Sequence, residues 1–85
     1  MIVMTDEQLL RRIAVDPKVM LGKPVVKGTR LTVEYIIGRL AHGATPADLV
    51  DEYEGLALDD VSACLLFAER SLSDTDYMSL LAEAS

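Results

Sequence analysis

A chain of 85 residues makes one small domain, yet 51% of it is apolar and its mean hydropathy is +0.26, more apolar material than so small a body can hide, so a partner surface is expected. The first ten residues carry Asp6 and Glu7 and lack the apolar run of a signal peptide, and no uninterrupted apolar segment reaches the ~18 residues that cross a membrane. The single Cys64 excludes an intramolecular disulfide and reads as a buried thiol in a reducing compartment, so the expected location is cytoplasmic.

Thr5-Asp6-Glu7-Gln8 has the form of a capping box and predicts a short helix from Asp6 to about Arg11. Ile13–Val15 is a brief strand stopped by Asp16-Pro17, and Lys18–Leu21 forms a tight turn ended by Gly22. Lys23 precedes a proline and is pushed toward extended backbone, Val25-Val26 favours a strand, and Gly28 supplies the positive φ of a turn. Thr29–Leu31 is expected to return as the partner strand, with Ile13–Val15 as a third, so residues 13–32 form a small β ribbon.

Three helices are expected over residues 33–71. Thr32 caps the first, whose Val33, Ile36, Ile37 and Leu40 recur at helical spacing, and Gly43 sits where a left-handed residue ends it. Thr45-Pro46 opens the second, with Asp48 near its positive end and Leu49, Val50 and Tyr53 as the buried face. The third begins near Leu58. Its Val61, Cys64, Leu65, Leu66, Phe67 and Ala68 cover more than half the circumference, which predicts burial on two sides. A last helix over 73–84 carries Tyr77, Leu80 and Leu81 and serves association. With no linker or repeat, residues 1–85 read as a single, mainly α domain with helix-turn-helix proportions. Val61, Leu65, Phe67, Tyr77, Leu80 and Leu81 make up the expected interface with a second copy or another protein.

Charge divides the chain. Residues 1–39 hold seven Lys/Arg against four acids, a net +3, and residues 40–85 hold one against ten, a net −9. Asp59 and Asp60 at the start of the third helix would repel phosphates, so the usual recognition helix is a poor reader of DNA here. The basic ribbon of Lys23, Lys27 and Arg30 is the better nucleic-acid contact, or else the charge that keeps a strand edge soluble. His42, the only histidine, sits at a helix C-terminus, where an imidazole meets the negative helix end. No His/Cys/Asp set at a known spacing supports catalysis, the His and Cys ligands of a metal site are lacking, and no glycine loop cradles phosphate. The chain therefore reads as a non-enzyme without metal or cofactor.

The run Asp16-Pro17, then Gly22-Lys23-Pro24-Val25-Val26-Lys27-Gly28-Thr29-Arg30-Leu31-Thr32-Val33, followed by Leu40, Gly43, Asp48-Leu49, Tyr53 and Leu56–Val61, resembles the prokaryotic domain-of-unknown-function 433 family over about residues 13–70. The resemblance implies a VapB-like antitoxin with a homeodomain-like three-helix bundle behind a β ribbon. It would bind and neutralise a PIN-like ribonuclease toxin, act as a homodimer and autoregulate its operon through DNA. On that reading Asp51, Glu52, Asp59 and Asp60 face the toxin and compete for its basic RNA cleft. A stand-alone DNA-binding transcriptional regulator and a dimeric scaffold remain alternatives. The sequence departs from the family at Ala57, which cannot cap the third helix as a threonine would, leaving Asp59 as a partial substitute.

Overall fold

The structure is a computed structural model and describes residues 4–73. In chain order it has α1 (Asp6–Leu10), β1 (Ile13–Ala14), a 3-10 turn (Met20–Gly22), β2 (Val25–Val26), α2 (Val33–Ala41), α3 (Pro46–Glu52) and α4 (Leu58–Ser73). The fold is mainly helical with one small antiparallel sheet near the N-terminus, the class expected from sequence. The predicted association helix over 73–84 lies outside the described residues except for Ser73, the last residue of α4.

Helix starts follow local chemistry. At α1, Thr5 Oγ1 accepts from the Gln8 N–H at 3.2 Å while Gln8 Oε1 accepts from the Thr5 N–H at 2.9 Å. Thr45 and Asp48 build the same reciprocal pair at α3 behind Pro46. The Thr45 N–H donating to Asp48 Oδ2, then the Thr45 side chain, favour the charged carboxylate and lower the Asp48 pKa. Thr32 Oγ1 accepts from the Tyr35 N–H at 3.0 Å to start α2. Gly43 at φ 103° and Gly55 at φ 87° follow α2 and α3, where an L side chain would be strained. At the end of α2, His42 Nδ1 donates to the Gly38 carbonyl at 2.7 Å, so the imidazole serves the helix terminus. Thr32 is 8% exposed, and Thr32→Ala is expected to lower unfolding free energy by about 1 kcal/mol, read by urea denaturation, with an unchanged far-UV spectrum.

The ribbon differs from its predicted pairing. β1 pairs antiparallel with β2, Ile13 opposite Val26 and Ala14 opposite Val25. Thr29–Leu31 forms no strand; only a single bridge joins Val25 to Thr32. Thr29 is the cause. Its N–H and its hydroxyl both donate to the Val26 carbonyl, at 3.0 and 2.8 Å, and its Oγ1 accepts from the Leu31 N–H at 3.0 Å. These local bonds curl the return into a turn and use up the Leu31 donor that a ladder would need. The Lys18–Leu21 turn continues into the 3-10 turn, with Met20 and Leu21 at φ 50° and 58°.

The core is built from Val26, Val33, Ile36, Leu49, Leu56, Val61 and Cys64. Ile36, Leu49 and Cys64 have no exposed surface. Burial pushes the Cys64 thiol up to about 12, so it stays protonated and acts as a small hydrophobe. α4 is the central element and packs against α1, α2, α3 and β1. Its third residue, Asp60, is only 6% exposed. Asp60 Oδ2 accepts from the Ala57 N–H at 2.8 Å, so the carboxylate of Asp60, rather than that of Asp59, supplies the cap that Ala57 cannot. Asp60 Oδ1 accepts from Arg12 Nη1 at 2.9 Å, tying α4 to the residue just before β1.

Candidate nucleic-acid interface

Backbone geometry delivers two of the three predicted basic residues to one place. Lys23, extended ahead of Pro24, and Arg30, at the end of the Thr29 turn, flank a groove of about 330 Å³ lined also by Met20, Leu31, Thr32, Tyr35 and Tyr53. Its floor is the start of α2 and its far wall the end of α3. Lys23 Nζ lies 3.4 Å from Glu34 Oε1, an exposed pair that contributes little and leaves the ammonium available to an anion. Arg30 and Lys27 are exposed, and neither makes an ion pair among the described residues. Lys27 stands apart on the ribbon turn, its N–H donating to the Arg12 carbonyl at 2.7 Å.

The aromatic wall is held rigid by Arg39. Tyr35 and Tyr53 meet edge to face with centroids 6.0 Å apart, and their hydroxyls are hydrogen-bonded to each other. Arg39 Nη1 donates to both hydroxyls, at 3.1 and 3.3 Å, and Nη2 pairs with Glu52 at 2.7 Å. The bond to Tyr53, then Arg39, lowers the Tyr35 pKa; the bond to Tyr35 raises that of Tyr53. Glu52, followed by Tyr35, raises the Arg39 pKa, so the guanidinium stays charged. Arg39 is therefore occupied in positioning the ring pair, while Lys23 and Arg30 supply positive charge at the rim. A groove with fixed aromatic rings and a basic rim suits a polyanion with planar bases. The tyrosine cluster was not foreseen. Tyr35 and Arg39 are four apart in α2 and share a face, the one trace of it in the sequence.

The other predicted residues separate. Asp51 and Asp59 are exposed, and Asp59 Oδ2 lies 3.8 Å from Arg12 Nη2. Glu52 is half-engaged by Arg39. Asp60 is inside the molecule and cannot face a toxin, because Arg12 and the Ala57 N–H take both its oxygens. Val61, 1% exposed, belongs to the protomer's own core and so cannot form an interface. Leu65 is exposed at 49%, and Phe67 is partly buried against the core. Tyr77, Leu80 and Leu81 lie outside the described residues. Among the described residues no cluster of His, Cys, Asp and Glu side chains is placed to hold a metal, and no helix is long and apolar enough to cross a membrane.

Residues 13–68, from β1 into the second half of α4, match the family described as a protein of unknown function, DUF433. The chain belongs to the DUF433 family. A crystal structure of a DUF433 member protein from Anabaena variabilis superposes with a TM-score of 0.70 at 27% identity, over 79% of this chain and 66% of that one. An uncharacterized protein of Archaeoglobus fulgidus is 60% identical over 25 residues, 29% of this chain and 69% of its own length. The DUF433 match includes the basic loop, both tyrosines and Arg39, so the whole groove lies within the family's domain.

Proposed function

We propose that this DUF433 protein is a non-enzymatic, cytoplasmic antitoxin that binds and neutralises a PIN-like ribonuclease and represses its own operon as a homodimer. The observation that carries the reading is the division of labour between charged surfaces. The groove offers Lys23 and Arg30 to a nucleic acid, while Asp51, Glu54 and Asp59 are exposed on the α3 to α4 segment. Such an acidic surface resembles an RNA backbone in charge and competes for a basic nuclease cleft. Co-expression with the neighbouring gene product tests the proposal. The two proteins are expected to co-purify and toxicity to disappear; separate elution with toxicity intact would refute it. Joint substitution Asp51→Asn, Glu54→Gln and Asp59→Asn, which spares the Glu52 that holds Arg39, is expected to weaken the complex about tenfold, mainly through slower association. Asp60 is left alone in that variant because its loss would disturb the fold.

The groove itself favours one second reading, a DNA-binding regulator that needs no toxin. Promoter binding by the isolated protein, together with no interaction with the neighbouring product, would select it.

A further inference from the structure

We infer that the turn at Met20 and Leu21 is an apolar wedge that enters the minor groove of duplex DNA and opens one base step, with Leu21 leading. The inference rests on the DNA binding proposed above and names the form of nucleic acid and the way it is held. Leu21 is 95% exposed, the most exposed large apolar side chain among the described residues, and Met20 beside it is 42% exposed. Both sit at positive φ, 58° and 50°, and Gly22 follows at 84°. Left-handed backbone suits glycine or asparagine, and a leucine surrounded by water contributes nothing to the core. Neither the backbone nor burial accounts for a leucine at this position. A large apolar side chain on strained backbone, left in solvent, points to a contact made outside the protomer.

The turn is fastened at both ends. The Lys18 N–H donates to Asp16 Oδ1 and the Val19 N–H to the Asp16 carbonyl, both at 2.9 Å. The Gly22 N–H donates to the Val19 carbonyl and the Lys23 N–H to the Met20 carbonyl, both at 3.1 Å. Leu21 therefore stands on a preformed support, and its insertion has no loop to order. Charge selects the occupant. Residues 16–30 hold Lys18, Lys23, Lys27 and Arg30 against Asp16, a net +3 in a chain of net −6. Met20 lines the groove that holds Lys23, Arg30 and the tyrosine pair, so phosphates seated at that rim bring the neighbouring base step to the turn. An apolar tip flanked by cations is how proteins kink a duplex from its minor groove, and leucine and methionine are among the side chains they insert. A helix needs the wide major groove, whereas a turn one side chain wide fits the minor. A lipid surface is the other extended anion, but it is bound through a broad apolar face, and one leucine with part of a methionine makes a narrow one.

The test uses the full-length protein and duplexes of about 30 base pairs tiling the DNA upstream of its own gene, with 2-aminopurine placed at successive steps. On the duplex it binds, the wild type is expected to raise the fluorescence at one step, where the base unstacks. It is also expected to kink that duplex by about 20–90°, read by energy transfer between the duplex ends. Leu21→Gly removes the wedge and suits the positive φ, so its thermal midpoint is expected to hold. At concentrations that still saturate the duplex, this variant is expected to lose both the fluorescence rise and the kink. Its affinity is expected to fall about tenfold at an unchanged salt slope, since no phosphate contact is removed. Leu21→Met is expected to keep both signals, and so is Leu58→Ala, which removes an exposed leucine of α4. Signals that survive Leu21→Gly, or a wild type that binds without them, would overturn the wedge and leave DNA binding standing. A wild type that binds no duplex would overturn the wedge and the DNA binding together. Leu21-dependent binding to vesicles of phosphatidylcholine and phosphatidylglycerol in place of DNA would assign the turn to a lipid surface and overturn the wedge as well.

Discussion

Replacing Arg12 with Ala is expected to lower the unfolding free energy by about 3 kcal/mol, more than Asp60→Ala does, with the double variant more stable than Arg12→Ala alone. The ordering follows from which group is left behind. Without Arg12, the Asp60 side chain, 9% exposed, keeps a negative charge inside the protein with the Ala57 N–H as its remaining partner. A buried charge deprived of its partner costs several kcal/mol. Without Asp60, the Arg12 side chain, 31% exposed, turns to water or to Asp59, and Ala57, itself an exposed residue, offers its N–H to water. That variant loses a cap and an ion pair, about 1–2 kcal/mol, but strands nothing. The set is read by urea denaturation followed by circular dichroism. An 85-residue domain holds about 4–13 kcal/mol in total, so Arg12→Ala removes a large fraction. Equal effects of the two single variants would mean that the pair is solvated and the buried-charge argument fails.

The same ion pair marks the boundary of what the sequence could reveal. Helix starts at Thr5, Thr32 and Thr45 were legible because each depends on a side chain and a backbone donor three residues apart. The left-handed Gly43 was legible for the same local reason. Arg12 and Asp60 are 48 residues apart, and no local pattern announces their meeting. Asp60 therefore looked like a solvated acid beside Asp59. Val61 was misplaced by a related ambiguity. The apolar arc of α4 is wider than the face that packs, so periodicity showed a buried helix without showing that Val61 points in and Leu65 out. At the ribbon, strand propensity and turn chemistry competed within three residues, and the Thr29 hydroxyl decided for the turn. Of the candidate site, the basic residues were visible as charge. Tyr53 joined them only through its side-chain contacts with Tyr35 and Arg39, 18 and 14 residues away, a tertiary fact.

Substituting Lys23, Lys27 and Arg30 together with Ala is expected to flatten the salt dependence of nucleic-acid binding. If each side chain neutralises one phosphate, the slope of log affinity against log salt falls by about 2.7 units, 0.9 for each contact. Between about 50 and 200 mM salt the wild type then loses about 40-fold more affinity than the variant does. Stability is expected to hold within about 0.5 kcal/mol, since all three side chains are exposed and the Lys23 pair with Glu34 is a weak surface contact. The size of the change also tests the geometry. Lys23 and Arg30 share the groove, whereas Lys27 sits on the ribbon turn. A single strand lying along the groove alone gives a change near 1.4 units, about 0.7 for each of Lys23 and Arg30, and Lys27→Ala is then silent. A duplex crossing both groove and ribbon uses all three. An unchanged slope would leave the ribbon a structural element whose lysines serve solubility, and would move any contact to α4. There Asp59 faces the phosphates, and Asp59→Asn would then raise the affinity instead of leaving it untouched.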